Sequence, residues 1–191
     1  MHLPPYRRYV TMSTLCVADN DANVCIAVRV SRESKVAAEI ERKFLVLGDG
    51  WRKEAHRSEL LRQGYLVGSE RASIRVRMSD DRAWLNIKSA TLGISRREYE
   101  YPIPWQDARE ILDNLCAGPL IEKTRHFVNH GDHLWEIDEF LGDNAGLVVA
   151  EVELDHPEEA YASPDWLGEE VSDDPRYYNV SLVRHPFRDW S

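Results

Sequence analysis

Carboxylates and cationic side chains recur at every second residue in run after run of this chain. The run EIERKFLV sets Glu39, Glu41 and Lys43 two residues apart, with Ile40, Arg42 and Phe44 at the alternate positions. In a β-strand that spacing puts the three charges on one face. The same rhythm yields Arg75 and Arg77, Lys88, Glu98 and Glu100, Lys123 and Arg125, Glu136 and Asp138, and Glu151 and Glu153. Paired carboxylates are the hard oxygen donors that Mg2+ or Mn2+ prefers. Arginine and lysine in the same setting clamp phosphate oxygens, arginine through two parallel bonds. Together they suit a polyanion handled with its accompanying cations. Eight carboxylates against six cationic groups leave this set near −2, a charge that repels an anion until two divalent cations reverse its sign.

Positioning these residues requires strands. Alternation marks eight, at 39–46, 59–67, 73–78, 83–89, 95–103, 120–128, 133–140 and 147–154, with turn signals at 68–70, 79–81, 89–93 and 129–132. Their order reads as sequential hairpins, hence an antiparallel meander. The opposite parity is apolar: Ile40, Phe44, Ile74, Val76, Leu85, Ile87, Tyr99, Tyr101, Ile137, Val152 and Leu154. In a single strand such a charged face is the wetted side of an ordinary sheet. Its recurrence on nearly every strand fits a closed eight-stranded barrel whose lumen receives one parity. The expected class is α+β, mainly β, with a few flanking helices. PWQDAREILDNLC (104–116) carries Ala108, Ile111, Leu112 and Leu115 at helical spacing, and shorter helices are expected at 157–162 and 175–183.

Composition narrows the function classes. A chain of 191 residues, 43% hydrophobic, builds one domain with a sizeable core. A formal charge of −9 argues against binding duplex nucleic acid or a membrane surface, both of them polyanionic. Cys16, Cys25 and Cys116 lie far apart, giving neither a disulfide framework nor a zinc site. No apolar run nears the roughly 20 residues of a membrane span, and Asp19, Asn20 and Asp21 interrupt the least polar N-terminal stretch. A cytoplasmic protein is expected. Residues 1–37 lack a sustained period and read as a poorly ordered extension before a domain at 38–191; a start codon assigned too far upstream, with Met12 or a later position as the real beginning, is an equal alternative.

The ordered series also resembles a known family. EIERK matches the ExExK signature of the CYTH superfamily, the triphosphate tunnel metalloenzymes, and RVR, NIK, REYE, EKTR, EID and EVE follow in family order from Glu39 to about Leu182. The resemblance, strongest to small bacterial members that begin EIERKFLV and contain RQGYL, implies a triphosphate tunnel using Mg2+ or Mn2+, two ions with substrate. It implies metal ligation by Glu39, Glu41, Glu151 and Glu153, with Asp138 a fifth candidate, and phosphate binding by Lys43, Arg75, Arg77, Lys88, Lys123 and Arg125. It pairs Tyr65 of RQGYL with Lys43 near the nucleophile, where the plain alternative is an aromatic packing a strand end. Arg71 and Arg176 are weighed between phosphate contact and solvent, whereas His126, His130 and His133 read as surface or packing residues.

The implied reaction is hydrolysis of inorganic triphosphate to pyrophosphate and phosphate. A class IV adenylyl cyclase or a thiamine or nucleoside triphosphatase would use the same cradle, and a non-catalytic polyphosphate-binding module would keep the basic residues while losing the acidic pairs. All the acidic pairs are present. The sequence leaves oligomeric state open.

Overall fold

The computed structural model describes residues 9–19, 22–32, 36–69, 71–89 and 94–190, and side chains from residue 40 onward except at 68, 95 and 96. Strands β1 (Tyr9–Asp19) and β2 (Ala22–Arg32) pair with each other in a separate two-stranded antiparallel sheet. The main sheet holds β3 (Val36–Val46), β4 (Arg57–Gly68), β5 (Ala72–Met78), β6 (Ala83–Ser89), β7 (Ser95–Pro102), β8 (Ile121–His130), β9 (His133–Phe140), β10 (Val148–Leu154) and β11 (Leu167–Glu170). Its order is β10-β9-β8-β4-β5-β6-β7-β3-β11, and every pairing is antiparallel.

This corrects the expected closed eight-stranded barrel. The sheet has nine strands, and β3 divides its pairing among three neighbours: β7 along Val36–Ile40, β10 along Ile40–Leu45, and β11 at Phe44 and Val46. The added strand, LGEE, occupies the β3 edge beyond the reach of β7. It comes close because Gly168 has no side chain; a Cβ there would lie 2.8 Å from the Leu45 carbonyl oxygen.

The apolar parity is covered by what lies between the strands. Ile40, Phe44, Val128, Trp135, Ile137, Ala150, Val152 and Leu154 form one cluster with Trp51 and Trp166. Trp51 comes from a 3-10 turn at Gly50–Lys53. Helix α1 (Trp105–Asn114) lays Ala108 and Leu112 against Val76, Met78 and Ala83 of β5 and β6. The Trp105 indole N–H donates to the Ser79 carbonyl at 3.0 Å, which pins the start of the helix.

The ionic parity changes character at one end. Leu45, Ile121, Phe140 and Val149 each follow or precede a charged site residue by two positions, and they join Leu147, Leu182, Val183, Phe187 and Trp190 in a third cluster. The C-terminal segment therefore covers that end with hydrocarbon. It contains a 3-10 turn at Pro175–Tyr177 and the short helix α2 (Asn179–Leu182), near the helix expected at 175–183.

No helix forms at 157–162. The Glu159 carboxylate instead accepts the backbone N–H groups of Asp155 at 2.6 Å and His156 at 3.4 Å, a local turn that competes with helix formation. Among the described residues no helix is long and apolar enough to cross a membrane.

Gly64 of RQGYL answers to packing. A Cβ at this position would stand 2.3 Å from Cys116 Sγ and 2.8 Å from Leu120 Cδ2. Overpacking a core in this way costs about 1–3 kcal/mol, so Gly64→Ala should lower the thermal unfolding midpoint; an unchanged midpoint would show that the chain after α1 yields freely.

Candidate active site

Burial on the ionic parity is unusual for charge. Lys43, Arg75, Lys123, Arg125, Asp138 and Glu151 are all buried, Asp138 at 0% exposure and Lys123 at 2%. Ionised groups tolerate such a place only when paired and hydrogen-bonded. Arg125 of β8 supplies most of the pairing. Its Nε and Nη2 lie 2.7 Å from the two Asp138 oxygens, Nη2 lies 2.6 Å from Glu151, and Nη1 donates to Glu136. Lys123 also pairs with Asp138, and Lys43 of β3 pairs with Glu151, with Glu41 at 3.5 Å.

A second set of contacts extends the face across β5, β6 and β7. Arg77 reaches Glu100 at 2.8 Å, Lys88 reaches Glu98 at 2.9 Å, and the Asn86 amide donates to both glutamates at 2.8 Å. Arg75 Nη1 donates to Gln63 Oε1 at 3.3 Å. Arg77 is also electrostatically coupled to Arg125 and to Glu136 of β9. β9 lies three strands from β5, about 14 Å on a flat sheet at the usual strand spacing. The sheet must curl to bring them into range.

Protonation follows from these neighbours. Burial would lower the Lys43 ammonium, but Glu151 and Glu41 more than offset it and hold its pKa above the ordinary value. For Lys123 burial prevails over Asp138, and its pKa falls to about 8. Burial acts to raise Glu151, yet Lys43 and Arg125 hold it well below the usual carboxylate range. Burial raises Glu136, with Glu151 and Asp138 adding to the rise against the pull of Arg125.

Beside this network lies a cavity of about 440 Å3. Glu41, Glu136, Glu151 and Glu153 line it from the sheet, and Asp132, His133, Asp155 and Glu159 from the β8–β9 turn and the loop after β10. Glu41 stands directly opposite Glu153, and Glu151 opposite Glu136, in the strand register. Like charges so placed repel. A hard divalent cation among these oxygens would relieve the repulsion, so the donor set fits such an ion. Among the described residues no three such side chains form a ready-made cage. On the cationic side, Arg77 Nε and Gln63 Nε2 are buried donors without a hydrogen-bond partner among the described residues, as an anion site requires.

The sequence-derived residues thus distribute unevenly. Lys43, Arg75, Arg77, Lys88, Lys123, Arg125, Glu41, Asp138, Glu151 and Glu153 share one face; Tyr65 lies opposite Arg75 in the register. Glu39 is in β3 opposite Arg96, its side chain outside the described residues. Both Asp138 oxygens are engaged by Lys123 and Arg125. Arg71 is exposed in the turn before β5, and Arg176 is exposed and bonded to Asp174 at 2.6 Å. His126 packs on Trp51 and His133 contacts Glu159 at 2.8 Å, so they serve different neighbourhoods. Gln63 and Asn86 had not been singled out, although they share the parity of Arg77 and Lys88.

Comparison with known proteins agrees with this geometry. The CYTH domain family model matches residues 37–184. An inorganic triphosphatase of Acetivibrio thermocellus is 47% identical over 152 residues, covering 80% of this chain and 97% of that protein. An inorganic triphosphatase of Nitrosomonas europaea is 39% identical over 151 residues, covering 76% and 96%. A crystal structure of an inorganic triphosphatase superposes with a TM-score of 0.56 at 35% identity, covering 77% of this chain and 95% of that one.

Two carboxylates should respond unequally to neutralisation. Asp138→Asn leaves buried Lys123 without its carboxylate and takes one of three from Arg125, and should cost about 3–5 kcal/mol of stability in urea unfolding. Glu153→Gln, at an exposed position, should cost about 1 kcal/mol or less. Equal losses in both variants would contradict the distinction.

Proposed function

The chain belongs to the CYTH domain family, and on that premise we propose that it is a metal-dependent triphosphatase that hydrolyses inorganic triphosphate to pyrophosphate and phosphate. The observation that carries the reading is one ionic face, buried and cationic around Lys43, Arg75, Lys123 and Arg125 and carboxylate-rich where Glu41, Glu151 and Glu153 line the cavity. Relatives at 47% and 39% identity that are named inorganic triphosphatases support it.

The pairing of β10 with β3 supports a further part of the proposal, that the curled nine-stranded sheet gathers its ionic residues around one substrate site. Lys43, Arg75, Arg77, Lys88, Lys123 and Arg125 bind the phosphate oxygens, and Tyr65 assists Lys43 near the attacked phosphorus. Glu39, Glu41, Glu151 and Glu153 hold Mg2+ or Mn2+, two ions with substrate. Asp138, the fifth candidate ligand, fixes the directions of Lys123 and Arg125. The bound metals supply charge neutralisation and a water of lowered pKa. The protein aligns the phosphate chain and keeps bulk water from the paired charges, which strengthens each contact.

Binding the anion exchanges partners. Lys43 and Arg125 neutralise Glu151 within the protein; with substrate present their donors would turn to phosphate oxygens, leaving Glu151 to hold a divalent ion that would supply the neutralising charge in their place. Neither set of charges is left buried and unpaired at any stage. The N-terminal extension, expected at 1–37, lies outside the catalytic domain up to the start of β3 at Val36, and the protein works in the cytoplasm on a small-molecule substrate.

The test is release of phosphate and pyrophosphate from tripolyphosphate with Mg2+ or Mn2+, alongside ATP and thiamine triphosphate. Tripolyphosphate should be turned over best, and Glu153→Gln should lower the rate by roughly 10²-fold or more with the fold intact. Cyclic AMP from ATP, or tight binding with no turnover, would overturn the proposal.

Acidity provides a separate check. Lys123, with its pKa near 8 in the substrate-free protein, is charged below that pH and neutral above it. Affinity for tripolyphosphate should therefore weaken as pH rises through about 8, and Lys123→Arg should flatten that decline. The same decline in both proteins would place its origin elsewhere.

A further inference from the structure

Arg42 stands between Glu41 and Lys43 in EIERKFLV, yet its side chain turns to the opposite side of β3. Its Nη1 lies 3.1 and 3.2 Å from the two Glu170 oxygens, and Nη2 donates to the Pro157 carbonyl at 2.9 Å. Glu170 in turn accepts the hydroxyl of Ser172 at 2.8 Å. Ser172 is buried, and its Oγ accepts the backbone N–H of Lys43 at 2.9 Å. The Lys43 carbonyl accepts the backbone N–H of Val171 at 2.8 Å. The Tyr178 hydroxyl holds this segment by donating to the Ser172 carbonyl at 2.7 Å.

These contacts solve a local problem of the sheet. β7 pairs with β3 only as far as Ile40, so the edge of β3 at Lys43 needs another partner for its backbone. Val171 answers the carbonyl, and a side-chain oxygen answers the N–H. A serine hydroxyl has one proton to donate; with that proton directed to Glu170, its lone pairs are left facing Lys43. Arg42 fixes Glu170, which fixes the hydroxyl, which fixes the residue whose ammonium meets Glu151 and Glu41.

We infer that Ser172, oriented by Glu170 and Arg42, is a positioning residue for Lys43 and acts on substrate binding only through it. The inference rests on the reading that Lys43 grips a substrate phosphate. It explains the arginine inside the motif, which the ionic face itself does not use. A displacement of the lysine backbone by a fraction of an ångström moves the ammonium relative to a rigid phosphate chain, and misplacement on this scale is costly.

The test is a double-mutant cycle on the affinity of a bridging-imido analogue of tripolyphosphate, measured by calorimetry with Mg2+. Ser172→Ala should weaken binding about tenfold, and Ser172→Thr, which keeps the hydroxyl, should recover most of it. Lys43→Met should weaken binding, and adding Ser172→Ala to it should change nothing further. Glu170→Ala, at a partly exposed site, should give a smaller loss with the same dependence on Lys43, and it carries the test if Ser172→Ala does not fold. Parent-like affinity in Ser172→Ala, or the same tenfold loss with and without Lys43, would overturn the inference. Parent-like affinity in Lys43→Met would instead overturn the reading of the site itself.

Discussion

The guanidinium of Arg125 meets three carboxylates in a place nearly closed to water, and the ionic face depends on that meeting. Asp138, Glu136 and Glu151 come from two other strands, β9 and β10. Without the arginine, Asp138 would keep only Lys123 and Glu151 only Lys43, and Glu136 would be pressed to take up a proton or draw in water. With it, Asp138 stays ionised at full burial and in turn holds Lys123. The chain can therefore keep fixed charges inside a fold whose net charge is negative. What such a network contributes is placement: the donors are already gathered on one face before an anion arrives, so that binding exchanges their partners and does not have to assemble them.

The apolar side of the same strands makes this possible. Trp51, Trp135 and Trp166 pack around one stretch of β-sheet, α1 covers another, and the C-terminal turns seal the end where ionic positions give way to Leu45, Ile121, Phe140 and Val149. Burial of this hydrocarbon offsets the cost of desolvating the charges. It also divides the two faces: helices and loops sit on the greasy one, and that leaves the other to the ionic residues.

Much of this was legible in the chain. Period-two charge in EIERKFLV, SIRVRM, LIEKTRHFV and LVVAEVEL marked both the strands and the shared face, because a buried site on a sheet must repeat the pleat. Helix α1 was legible from Ala108, Ile111 and Leu112. β11 was not, since LGEE is short, holds a glycine and has no alternation; its place is set by the close approach of Gly168 to Leu45. The 157–162 segment misled because Glu159, favourable in a helix, spends its carboxylate on the backbone of Asp155 and His156. Gln63 and Asn86 escaped notice because one neutral amide on a strand carries no pattern of its own, and each is held by charged residues of the adjoining strand, Arg75 for Gln63 and Glu98 and Glu100 for Asn86. Ser172 lies in a loop, where no period exists to reveal it.

The central claim is that one ionic face of the sheet holds both the phosphate grip and the metal ligands. The most direct measurement is a crystal structure of the protein with Mn2+ and an imido analogue of tripolyphosphate, the metal located by its anomalous signal. The account predicts manganese within bonding distance of Glu41 and Glu153, and phosphate oxygens on Arg75, Lys123 and Arg125. Manganese or analogue bound on the outer surface, with the Arg125 to Glu151 contact undisturbed and the inner face empty, would contradict it.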